Sequence, residues 1–169
     1  GICYQLVDIL VRAATVVHQS YTPKYAEQRV HNNLPELKRL YHLSLLSMTV
    51  IYITGAVVLL TVGNPLLHLI GSNTFLLPTG MLATMLFCRF LERIHVIAMG
   101  IIMSDNHVPF YIPSLVAGAV TFALTWGLLH FTSIGIWALI IAPGIAQLMY
   151  QNWKWPLEVH KELKNIHYD

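Results

Sequence analysis

Four uncharged apolar stretches, each long enough for a helix, fill most of this chain and constrain it more than any motif does. The longest are Leu43–Val62 and Val108–Phe131. A hydrocarbon core about 30 Å thick takes about 20 residues of helix. One such run is compatible with a signal anchor. Several in 169 residues, joined by short loops, predict a polytopic membrane protein. Function is then to be sought where polar groups fall inside the spans, because polar groups in lipid cost several kcal/mol each.

Composition agrees. Hydrophobic residues make up 56% and charged residues 11%, against about 25% charged in ordinary soluble domains. Lipid can cover apolar surface that a soluble chain must bury against itself. The formal charge of +2 gives no footprint for nucleic acid, so no nucleic-acid partner is expected. Cys3 and Cys88 both fall in expected spans and make no disulfide framework. The chain starts at Gly1 with no Met and no cleavable signal pattern, and its first residues already read as mid-helix. It is expected to be a piece of a longer protein.

The fold class expected is all-α, a transmembrane bundle of five helices. They are read at about Ile2–Ser20, Tyr41–Val62, Phe75–Met103, Val108–Phe131 and Ser133–Gln151. Residues 1–155 form the membrane domain and 156–169 a cytoplasmic amphipathic tail. Pro23 is expected to end the first helix, and Asn33 followed by Leu34, Pro35 and Glu36 reads as a capped helix start. Loop charge gives orientation. Lys24, Arg29, Lys38 and Arg39 lie in 21–40, and Lys154, Lys161 and Lys164 near the end, whereas 63–74 and 131–134 carry no Lys or Arg. Basic loops stay in the cytoplasm, so the direction alternates and the C-terminus lies inside. Trp126 and Trp137 read as outer interfacial anchors, Trp153 and Trp155 as inner ones. Ala138, Ala142 and Ala146, four apart, form a stripe that lets another helix approach, a spacing that chance in an Ala/Gly-rich helix also accounts for.

Two charged clusters interrupt the apolar background. Gln5, Asp8, Arg12, Thr15 and Gln19 share one face of the first helix, and Asp8 and Arg12 are one turn apart. Three environments satisfy such a stripe: a water-filled cavity, burial against further helices, or an interfacial helix lying on the membrane. The third helix carries Arg89, Glu92 and Arg93 near its middle. Guanidinium groups grip phosphate through paired hydrogen bonds, and Glu92 can neutralise one arginine or carry a proton or cation. The structural reading of the same residues is an ion-pair tie, with Arg93 snorkelling to the cytoplasm. The nine histidines form no recognisable ligand set and read as interfacial polar residues. No zinc-protease, nucleophile-elbow or phosphate-loop pattern occurs, so neither an enzyme nor a cofactor is expected.

The loop after the first helix leads into Asn33-Leu34-Pro35-Glu36-Leu37-Lys38-Arg39-Leu40-Tyr41. The next span closes in Gly63-Asn64-Pro65-Leu66-Leu67-His68-Leu69-Ile70-Gly71, and Gly135-Ile136-Trp137-Ala138-Leu139 and Trp153-Lys154-Trp155-Pro156 come later in the chain. Together these resemble the polysaccharide exporters, or O-antigen-type flippases, of the multidrug/oligosaccharidyl-lipid/polysaccharide transporter superfamily. That family has two pseudo-symmetric six-helix lobes, and the chain looks like its last five helices, with about seven absent. The resemblance implies flipping of polyprenyl-pyrophosphate-linked oligosaccharide across the bacterial inner membrane, in partnership with the missing N-terminal lobe. By residue type and depth, it makes Arg12, Arg89 and Arg93 candidates for the anionic lipid carrier, and Asp8 and Glu92 candidates for ion coupling. A multidrug or metabolite exporter of the same fold and a non-catalytic assembly subunit are the alternatives, and a membrane enzyme lacks a loop that would bear its catalytic groups.

Overall fold

The computed structural model describes residues 2–69, 71, 75–105 and 108–164. Among them are six helices and no strand: α1 Ile2–Val30, α2 Leu34–Leu69, α3 Thr79–Met103, α4 Tyr111–Phe131, α5 Ile136–Leu148 and α6 Gln151–Lys164. Two of these, α2 and α4, are long and apolar enough to cross a membrane. Ile70 at the close of the second span, His107 and residues 165–169 of the tail lie outside the described residues.

The α1–α2 connection shows how local chemistry sets the fold. Pro23 does not end α1, which runs on to Val30 with Pro23 inside it. The missing N–H costs one backbone bond. Packing of the following turn offsets it, since Tyr25 is fully buried and bonded to His18 and to Ser44 of α2. The helix stops at Asn32, whose φ of 51° is left-handed, a conformation that asparagine tolerates better than most residues. Asn32 N–H then reaches the Arg29 carbonyl at 3.0 Å and Asn33 N–H the Gln28 carbonyl at 2.8 Å, which satisfies two carbonyls of the last turn. Asn33 serves both helices. Its Oδ1 accepts from Glu36 N–H at 3.4 Å and its backbone carbonyl from Leu37 N–H at 3.1 Å, with Pro35 in the first turn. The capped start is therefore as expected, but it lengthens the second helix from Tyr41 back to Leu34. Residues 21–40 are a helical hairpin rather than a loop. At 1.5 Å per residue α2 is about 54 Å long, well beyond the hydrocarbon thickness.

Neighbouring residues give the direction of each helix. On α1, Leu10 abuts Gly55 of α2 and Tyr25 bonds Ser44, so α1 and α2 are antiparallel. Tyr4 meets Arg89, His18 abuts Gly100 and Arg29 bonds Ser104, so α1 and α3 are parallel. Cys88 abuts Gly144 and His95 bonds Asn152, so α5 and α6 run parallel to α3. The fifth helix expected at Ser133–Gln151 is divided. Met149 and Tyr150 form a turn in which Tyr150 N–H bonds three residues back, to the Gln147 carbonyl at 3.3 Å. Beyond it α6 continues through Pro156, so the expected limit between membrane domain and tail falls inside one helix. Before α5, Gly135 at φ 55° makes the reversal that brings α5 back along α4.

The core lies where α1, α2, α3 and α6 meet. Val7, Val11 and Ala14 face it from α1, and Leu82, Leu86, Ile97 and Ile101 from α3. Trp155, Val159 and Leu163, four apart, turn the apolar face of α6 inward. Trp155 is therefore a core residue, edge-on to Phe110 at 5.8 Å, and not an interfacial anchor. Trp153 on the opposite side is half exposed. Ala138, Ala142 and Ala146 are buried as their spacing predicts, on a helix that packs against both α3 and α4. None of the α4 side chains is buried.

Candidate anion cleft between α1, α3 and α5

Arg89 and Glu92, two of the three charged residues of α3, open onto a cleft of about 280 Å³. Tyr4 of α1, Cys88, Arg89 and Glu92 of α3, and Pro143 and Gln147 of α5 are among the residues that line it. Each helix contributes for a local reason. Arg89 and Glu92 are three apart and share a face of α3. Gly144 lets α5 approach until a Cβ there would lie 2.6 Å from Cys88 Sγ. Tyr4 stands one turn before Asp8 on α1, and its ring covers the Arg89 guanidinium at 4.9 Å.

Glu92 sits between both arginines. Arg89 Nη1 donates to its Oε2 at 2.7 Å and Arg93 Nη2 to its Oε1 at 2.5 Å. Arg89 Nη2 also donates to the Tyr4 hydroxyl at 2.5 Å. The set carries one positive charge in excess, and it is mostly covered: the Glu92 side chain is 16% exposed and that of Arg89 27%. An excess charge under partial cover attracts an anion more strongly than one in bulk water, since the effective dielectric is lower. Arg93 does not line the cleft. It braces Glu92 from behind, and its Nε is buried without a hydrogen-bond partner among the described residues.

The other expected cluster is elsewhere. Asp8 and Arg12 form the predicted one-turn pair at 2.9 Å, but the Arg12 side chain is 79% exposed, two turns along α1 from Tyr4, and neither residue lines the cleft. Gln5 and Gln19 face outward with Arg12. Thr15 leaves the stripe: it is buried and its hydroxyl donates to the Val11 carbonyl at 2.9 Å. The five candidates therefore make two sites, Arg89–Glu92–Arg93 and Asp8–Arg12. Sequence reading missed Tyr4, Gln147 and Cys88 as cleft residues. Only Tyr4 left a trace, a polar-tipped aromatic one turn before an ionic pair. His18 and His95, expected at interfaces, are buried against Tyr25 and Asn152 at 3.1 Å and 2.6 Å.

A third ionic tie lies at the far end of the bundle. Arg29 of α1 pairs with Glu162 of α6 and donates to Ser104 Oγ at the end of α3 at 3.2 Å. Tyr25 lies in the same hairpin, and burial pushes its hydroxyl pKa above the ordinary 10 despite the Ser44 hydrogen bond.

No protein-family model, no curated protein and no solved structure matches this chain.

Proposed function

We propose that this chain is part of a multi-pass membrane transporter that takes the pyrophosphate of a polyprenyl-linked oligosaccharide at Arg89 and moves it across the bacterial inner membrane. The observation that carries this reading is one excess guanidinium charge, at mid-helix in α3, facing a cleft. Arginine at such a depth is costly unless paired or wet, and its fork geometry suits phosphate oxygens. A cleft of about 280 Å³ is below the size of most small-molecule pockets, so it takes the charged linkage and leaves the sugars outside. In this reading the helical passes are five: the first part of α1, α2, α3, α4, and α5 continued by α6. The alternation of their directions agrees with the alternation of loop charge, which puts the C-terminus in the cytoplasm. Glu92 holds Arg89 when no anion is bound. On binding, the anion competes for Arg89 and frees Glu92 Oε2, which can then take up a coupled proton or cation while Oε1 stays on Arg93. The exposed Arg12–Asp8 pair on the outer side of α1 would face the other lobe.

The full satisfaction of Glu92 by two arginines also supports a second reading, a purely structural tie in an assembly subunit. Cys88 separates the two, because it lines the cleft. In a Cys3→Ser background, millimolar pyrophosphate should slow labelling of Cys88 by a neutral maleimide, and Arg89→Gln should remove that protection. No protection in the unsubstituted cleft would favour the tie. For the substrate, the gene that encodes this chain is deleted in its host. Accumulated lipid-linked glycan with depleted surface polymer supports flipping. Unchanged glycan pools, with no redundant exporter, would move the assignment to a multidrug or metabolite exporter.

A further inference from the structure

We infer that the basic pocket between the start of α2 and the end of α6 holds the headgroup of an anionic phospholipid. Lys38, His42, His160 and Lys164 line it above Tyr41 and Leu163, around about 200 Å³. Tyr41 and Leu163 are buried, and the four basic side chains are exposed. Among the described residues no carboxylate lines this pocket. The nearby acids are engaged elsewhere: Glu36 with Arg39, Glu158 with Lys154 and Glu162 with Arg29. Lys38 and Lys164 have no ion-pair partner among the described residues, so two full charges converge on one concavity.

The face of α2 beyond the pocket decides the kind of anion. Lys38, His42, Leu46, Val50, Ile53 and Val57 are spaced by four, four, four, three and four, which is one face of a helix. All six are exposed. The face changes from cationic to aliphatic within a turn and stays aliphatic along the part of α2 able to cross a membrane. A phosphodiester carrying acyl chains has the same order, an anion at one end and hydrocarbon beyond it. Free phosphate would use only the pocket. The pocket also lies at the end of the bundle that carries Lys24, Arg29, Lys38 and Arg39, which loop charge assigns to the anionic cytoplasmic leaflet. The inference rests on α2 crossing a bilayer, and it is independent of the Arg89 cleft.

The test is native mass spectrometry of the detergent-solubilised chain with phosphatidylglycerol or phosphatidylcholine added in equal amounts. The unsubstituted chain should retain phosphatidylglycerol preferentially. Lys38→Gln with Lys164→Gln should reduce that preference about 25-fold, from about a fivefold effect per lysine. Lys24→Gln with Lys161→Gln, which removes the same charge outside the pocket, should leave most of it. An equal loss in both pairs would mean general surface attraction and would overturn the site. Displacement of the lipid by inorganic phosphate at equal concentration would also overturn it, because the aliphatic face would then contribute nothing. Leu46→Ser with Val50→Ser should weaken retention while helicity by circular dichroism is unchanged. Retention at the original level would remove the acyl part of the argument and with it the lipid assignment. Arg89→Gln should change nothing, so this site and the cleft fail separately.

Discussion

Helices α3 and α4 are both rich in apolar residues and both more than 20 residues long, but only α4 is apolar enough to cross a membrane, and the fold treats the two in opposite ways. Helix α3 is covered by α1, α2, α5 and α6, whereas α4 lies against α5 and has no buried side chain. The difference is three charged residues. Arg89, Glu92 and Arg93 cannot face lipid without partners; they pair with one another, and Tyr4 and α5 enclose Arg89 and Glu92. Helix α4 has no Asp, Glu, Lys or Arg, so nothing in it requires a protein environment. Apolar character makes a helix able to sit in a membrane, and its polar minority selects its neighbours.

The sharpest way to break this comparison is Glu92→Ala. It leaves two largely covered guanidinium groups against each other and should cost about 3–5 kcal/mol, read as a large fall in thermal midpoint in detergent. A small change would mean that water already neutralises the cluster. Next is Gly144→Ala, whose Cβ would lie 2.6 Å from Cys88 Sγ in the α3–α5 seam. Overpacking of this kind costs about 1–3 kcal/mol. Cys88→Ala should recover most of the loss in a double-mutant cycle, and failure to recover it would mean that the Cys88 thiol is not what the new methyl meets. A smaller effect is expected for Tyr25→Phe, which removes hydrogen bonds to Ser44 and His18 worth about 1 kcal/mol. Its pH signature has a definite sign. Burial raises the Tyr25 hydroxyl above 10 in the folded chain, so its stabilising share is full below pH 10 and is lost as pH climbs through the raised value. The alkaline loss of stability should be shallower in Tyr25→Phe, and an unchanged slope would remove Tyr25 as a cause. The smallest effect belongs to α4. Phe122 is 75% exposed, and Phe122→Ala should change stability in detergent by less than about 0.5 kcal/mol. A loss of several kcal/mol would mean that α4 packs against something other than lipid or detergent.

Regular features of the pattern read well. The Asn33 cap, the Asp8–Arg12 pair, the Arg89–Glu92 pair and the small-residue stripe of α5 all come from spacing on a single helix, where three or four residues make one turn. Proline was misleading at Pro23. It removes one backbone bond, as Pro156 does within α6, but buried residues flank each of them, His18 and Tyr25 around Pro23 and Trp155 and Val159 around Pro156. The division of the expected helix Ser133–Gln151 at Met149–Tyr150 carried no composition signal; just beyond it Gln151 Nε2 donates to the Pro113 carbonyl of another helix at 3.3 Å.

The amino-acid sequence by itself determined that this chain is helical, where its apolar stretches and charged turns fall, and which charges pair along one helix. Those outcomes depend on residues a few positions apart. Only the tertiary structure decided that Arg89 meets Tyr4, that Arg12 faces outward away from the cleft, that Trp155 lies inside while Trp153 lies outside, and that Lys38 shares a pocket with Lys164. These depend on how α1, α2, α3, α5 and α6 rotate about their axes to cover most of one charge cluster. That rotation results from packing over the whole bundle, and no local spacing encodes it.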